Sequence, residues 1–145
     1  MYRFFTLLSI CIGIVSCEVK PQPINYGSDS CHFCKMTIVD NQHAAQIVTV
    51  KGKAFKYDAI ECMMGDLLEW DQPEVKYHLI ADYSAPGTLI DATSSHYAIT
   101  PSIPSPMGKF LTGFAEANKR DLVLNNAGGE ALDWKQLRQY FRENP

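Results

Sequence analysis

The sequence predicts an α+β fold: two tandem β-β-α-β units with an additional C-terminal helix. Three observations predict it. Strand-like runs in the first half, β-branched or alternating in polarity, lead into a stretch of helical period and then another strand-like run. The same order of signals returns, more weakly, in the second half. A last amphipathic stretch follows from Asp133.

In the first unit, Lys35 to Val39 and Ala44 to Lys51 read as strands, with Lys51-Gly52-Lys53 as a hairpin turn into Ala54 to Tyr57. Asp58 with Glu61 three residues on has the form of a capping box, and Ile60, Met63, Met64, Leu67 and Leu68 keep helical spacing. Asp71-Gln72-Pro73 stops that helix, and Val75 to Ala81 closes the unit. In the second unit, strands are expected near Leu89 to Ile99 and Lys109 to Phe114. A helix from Lys119 to Ala127, stopped by Gly128-Gly129, and a brief strand around Ala131 follow. Thr100 to Gly108 carries Pro101, Pro104 and Pro106 and therefore reads as a stiff loop. In the closing helix Asp133 and Gln136 form a second capping box, and Trp134, Leu137, Tyr140 and Phe141 make the apolar face. Arg138 and Arg142 fall on its solvated side and last turn.

Composition excludes several classes of function. The 145 residues suffice for one compact domain or two half-units sharing a core. With 13 basic against 16 acidic side chains, the net charge of -3 gives no electrostatic reason to bind a polyanion. No basic run interleaved with aromatics appears, so nucleic acid is not an expected partner. The long apolar run, Phe4 to Val15 behind Arg3, is short for a membrane span and right for the core of a signal peptide. Ile14-Val15-Ser16-Cys17 then resembles a bacterial lipobox. The expected organisation is a signal peptide over 1–16, a lipid-anchored tether over 17–28 with Cys17 acylated, and a domain over 29–145, divided into half-units at about 29–84 and 85–145. Such a protein sits in the bacterial cell envelope, anchored to a membrane and facing the periplasm.

Removal of Cys11 and acylation of Cys17 leave Cys31, Cys34 and Cys62, an odd number in an oxidising compartment, so at least one sulfur lies outside any disulfide. Asp29 to Met36 holds two thiols and a thioether. On a strand beginning near Cys34, residues 34 and 36 would share one face about 6.5 Å apart, a two-sulfur claw. Thiolate plus thioether is a soft donor set that favours Cu(I). Haem attachment is excluded because Lys35 stands where a histidine would be needed. A zinc site from the three cysteines and one histidine, a thiol-disulfide oxidoreductase pair of Cys31 and Cys34, and a structural disulfide between those two are the alternatives. The strand-like Met36 to Val39 argues against the oxidoreductase, whose reactive cysteine usually opens a helix. Met63, Met64 and Cys62 read as helix core, His78 as a packed side chain, and His32 and His96 as weaker ligand candidates. No Ser/His/Asp arrangement, paired acids or glycine-rich phosphate loop is present, so no catalytic residue is assigned and the chain reads as a binding protein rather than an enzyme.

Cys31-x-x-Cys34-x-Met36, Ala44-Ala45-Gln46, Tyr57-Asp58-Ala59-Ile60-Glu61-Cys62, Leu89-Ile90-Asp91-Ala92 and Ser105-Pro106-Met107-Gly108 together resemble the NosL family. Its members are lipid-anchored copper chaperones associated with assembly of nitrous oxide reductase. The resemblance implies a pair of β-β-α-β units and Cu(I) ligation by Cys34, Met36 and the loop residue Met107. Cys31 would serve as an extra donor or as a protective partner of Cys34. The implied recipient is a copper-accepting protein, nitrous oxide reductase or its assembly machinery; a copper store or sensor without a dedicated recipient is the other possibility within copper binding. Two residues depart from the family's pattern. Lys35 stands where glycine is common and is expected to lower the Cys34 pKa, and His43 stands where an aromatic is common.

Overall fold

The computed structural model describes residues 18–145, so the expected signal peptide and the expected acylation site Cys17 lie outside the described residues. No helix among the described residues is long and apolar enough to cross a membrane. The elements are β1 (Ala45–Thr49), β2 (Ala54–Tyr57), α1 (Ile60–Leu68), β3 (Val75–Asp82), β4 (Ala85–Asp91), β5 (His96–Ile99), β6 (Leu111–Phe114), α2 (Ala117–Ala127), β7 (Glu130–Leu132) and α3 (Trp134–Glu143). They form two small antiparallel sheets, ordered β2-β1-β3-β4 and β6-β5-β7. In each sheet the first strand of a β-β-α-β unit is flanked by the second strand and by the strand that follows the helix. The fold is α+β, as the sequence predicts.

Three local expectations differ from the structure. No strand forms over 35–39; the segment makes only a single bridge, Ser30 to Thr37. The predicted strand Leu89 to Ile99 is two strands in different sheets. Between them the Asp91 side chain accepts from the Thr93 N–H at 2.6 Å, and the Ser95 hydroxyl donates to the Asp91 carbonyl at 2.6 Å, a turn built without glycine or proline. β4 therefore lies beyond the expected division near 84/85 yet pairs with β3 in the first sheet. It begins with Ala85-Pro86-Gly87, and its place at the sheet edge is what tolerates the proline. Finally, α1 has Ala59 at its N-cap with no side-chain capping bond; Asp58 and Glu61 turn inward instead. The second capping box is present, with Gln136 N–H to Asp133 Oδ1 and Asp133 N–H to Gln136 Oε1 both at 2.8 Å.

One core serves both units. Ile47, Tyr57, Ile60 and Ile80 of the first pack with Tyr97, Leu111, Leu137 and Phe141 of the second. His43 occupies its aromatic-like position as a buried bridge, its Nδ1 2.9 Å from Asp40 and its Nε2 3.2 Å from the Thr112 hydroxyl on β6. The units pack tightly at Gly113, where an added Cβ would lie 2.2 Å from Ile80 Cδ1. Ile80 is fully buried and has little room to move. Gly113→Ala is therefore expected to destabilise the chain by about 1–3 kcal/mol, the usual cost of overpacking, as measured by denaturant unfolding; an unchanged midpoint would contradict the tight seam.

Candidate metal centre

The segment from Asn25 to Ile38 folds back on itself and docks on the end of β2. Gly27 N–H donates to the Ile38 carbonyl at 2.8 Å, Ile38 N–H to Asp29 at 2.9 Å, and Cys31 N–H to Met36 at 2.8 Å. His32 N–H reaches the Lys56 carbonyl at 2.7 Å, and Lys56 Nζ lies 2.5 Å from Asp29 Oδ2. Lys35 closes the Cys31 turn, its N–H bonded to the Cys31 carbonyl at 3.1 Å, and takes φ +66°. That left-handed backbone suits glycine and costs a lysine roughly 1–2 kcal/mol. Part of that cost is offset by the stiffer unfolded chain, so Lys35→Gly is expected to raise stability by up to about 1 kcal/mol, a gain readable as a higher denaturation midpoint. A loss of stability would contradict the strain assignment.

This fold-back sets Cys31 in the interior and Cys34 half-buried above it. Cys62, buried on the first turn of α1, approaches from the other side. The Sγ atoms of Cys31, Cys34 and Cys62 all lie within 4.8 Å of one another, and all three thiols are free. No histidine or carboxylate joins them among the described residues. Cys31 Sγ is the hub. It receives the Cys62 S–H and the backbone N–H groups of Asp58 and Cys34, the last at 3.5 Å. The Cys62 donation is the largest cause of a Cys31 pKa lowered to about 5, against the opposing effect of burial. Cys62, its proton committed to Cys31 and its sulfur buried, is pushed far up. Cys34 is also raised, first by burial. The Lys35 effect expected on Cys34 is absent: the ammonium is turned to the His32 carbonyl.

The methionines sit differently from the expected claw. With no strand at 34–36, the backbone of Met36 serves the cysteines, its carbonyl accepting from Cys31 and its N–H reaching Cys34 Sγ, while its side chain is 56% exposed. Met107, 39% exposed, lines a cavity of about 170 Å³ together with Phe33, Glu61, Cys62, Gly65 and Phe141. Phe33 covers this cavity by lying on α1 at Gly65, where a Cβ would fall 2.9 Å from the ring. The structure thus gathers Cys31 and Cys34 with Cys62, has Met107 and Cys62 line one cavity, and leaves the Met36 thioether at the surface. His32 packs on Phe55, ring centroids 4.7 Å apart; His78 packs on Trp134; neither these nor His96 enters the sulfur group. Cys62 is the member that a helix-core assignment misses, and the odd cysteine count is the signal that could have found it.

Two buried carboxyls flank the centre. Asp58 and Glu61 are both raised in pKa, in each case chiefly by burial. Asp58 Oδ1 and Glu61 Oε2 have no hydrogen-bond partner. Added negative charge in this region is therefore costly.

The chain is 28% identical over 157 residues to the copper-binding lipoprotein NosL of Stutzerimonas stutzeri, covering 92% of this chain and 80% of that protein. Its fold is similar to the crystal structure of the copper chaperone NosL from Shewanella denitrificans, with a TM-score of 0.70 at 19% identity, covering 82% of this chain and 96% of that one. Neither relative is named as an enzyme. The NosL family model matches residues 23–141, a span that holds the three gathered cysteines together with Met36 and Met107, and the chain accordingly belongs to the NosL family.

Proposed function

We propose that this chain is a Cu(I) metallochaperone that delivers its cargo to an exported cuproenzyme during nitrous oxide reductase assembly, held to a membrane by a lipid on Cys17 and facing the periplasm. The observation that carries the copper reading is the convergence of three thiol sulfurs within 4.8 Å. Three sulfurs bonded to one ion at about 2.3 Å stand about 4 Å apart, so the arrangement needs only a small contraction to close on a metal. Soft, sulfur-only donors suit Cu(I), whereas zinc normally takes a fourth ligand, and no histidine or carboxylate among the described residues joins the three sulfurs. The names of both relatives support copper as the cargo. The recipient and the anchor rest on the family resemblance and on the lipobox-like Ile14 to Cys17.

Cys31 and Cys34 provide the affinity, with Cys62 behind them. Met36 and Met107 are neutral thioethers at the exposed side, from which an incoming donor displaces the ion without separating full charges. Burial of Cys31, the most acidic thiol, closes it to a protein disulfide and speaks against disulfide exchange as the activity. The test is anaerobic competition with a Cu(I) chelator. One ion per chain is expected, with binding nearly abolished in Cys34→Ala. Met107→Ala should weaken binding with little loss of fold stability, because its side chain is substantially exposed. Unchanged affinity in both variants would overturn the site.

A further inference from the structure

Glu61 and Ser105 come from different units and meet in the interior. The Ser105 hydroxyl donates to Glu61 Oε1 and accepts the Phe110 N–H at 2.9 Å, and both side chains are buried. The Leu111 N–H also reaches the Glu61 carboxylate. The loop that these bonds hold is closed at its base by Thr100 N–H to the Phe110 carbonyl at 3.1 Å and at its tip by Gly108 N–H to Ser105 at 3.0 Å. Met107 sits in that tip, and Glu61 is the residue directly before Cys62. Glu61, Cys62 and Met107 line the same cavity. A buried carboxylate with one oxygen unpartnered is an expensive way to tie down a loop that capping of α1 does not require. Its effect is to fix the loop to the helix turn that carries a cysteine of the centre.

We propose that Glu61 and Ser105 are positioning residues, whose buried hydrogen bond latches the Met107 loop onto the first turn of α1 and holds the Met107 thioether beside Cys62. The proposal rests on the copper reading above. The latch means that the loop is ordered before the ion arrives, so the ordering cost does not fall on each binding event. Neither residue touches the cargo.

Two measurements on Ser105→Ala, Ser105→Thr, Met107→Ala and the Ser105→Ala/Met107→Ala double variant test it. The first is amide hydrogen exchange in the metal-free chain. Ser105→Ala should speed exchange at Gly108 and Phe110 by about tenfold or more, the scale of a buried partner left without its hydrogen bond, while β1 and β3 stay unchanged. Ser105→Thr, which keeps the hydroxyl, should restore protection. The second is Cu(I) competition, in which Ser105→Ala should lose about as much affinity as Met107→Ala, and the double variant no more than Met107→Ala alone. Unchanged loop exchange in Ser105→Ala, or losses that add in full, would overturn the latch. Affinity insensitive to Met107→Ala would overturn the positioning role even with a latch seen by exchange. Affinity insensitive to Cys34→Ala would instead overturn the copper reading and leave the exchange result standing.

Discussion

Replacement of Cys62 by alanine is expected to weaken Cu(I) binding by more than about a hundredfold. Even residues that only orient a metal's ligands cost 10–100-fold when removed, and Cys62 both closes the sulfur triangle and donates to Cys31. The same variant should raise the Cys31 pKa from about 5 toward the ordinary thiol range, since the Cys62 S–H is the largest cause of the lowering. Thiolate absorbance followed against pH in the metal-free protein reads that shift directly. Loss of folding does not explain such a result if Ile60→Val, a substitution costing about 0.5–1.5 kcal/mol on the same helix, keeps full affinity. An alanine variant that binds as tightly as the native chain would remove Cys62 from the centre.

Cu(I) affinity is also expected to fall as the solution is acidified. The ion binds thiolates, so each protonated thiol it engages must release a proton. Above about pH 5 Cys31 is already ionised, because the lowering of its pKa leaves the thiolate as its ordinary form. Cys34 and Cys62, both raised, still hold their protons at neutral pH, and each must surrender one on binding. Affinity should therefore drop about a hundredfold for each unit of pH below neutral. Below about 5, where Cys31 is protonated as well, the slope should steepen by a further tenfold per unit. Chelator competition in buffers between pH 4 and 8 measures it; affinity independent of pH would mean that thioethers alone hold the ion.

The architecture was legible where side-chain periodicity and local chemistry act alone. The Asp133/Gln136 box and the helical stripe of α1 follow from short-range rules, and both elements form as those rules say. The failures share a cause in long-range contacts. Asp58 and Glu61 match a capping box in spacing, yet Glu61 meets a partner 44 residues away in Ser105, which no local pattern announces. The strand predicted at 35–39 fails because Lys35 takes a left-handed backbone that closes the Cys31 turn, a conformation its β-branched neighbours conceal. At the centre, Cys31 and Cys34 were visible from their spacing. Cys62 entered only through the three-cysteine zinc alternative, since an apolar helix face and a candidate buried ligand use the same residue positions and differ only in what the tertiary fold brings opposite.

X-ray absorption at the copper edge, on the anaerobically loaded chain and its Cys62→Ala variant, tests the three-cysteine centre most directly. A shell of sulfur alone, at about 2.3 Å and losing one scatterer in the variant, is the expected result. A native shell dominated by nitrogen or oxygen, or one identical in the two proteins, would contradict it.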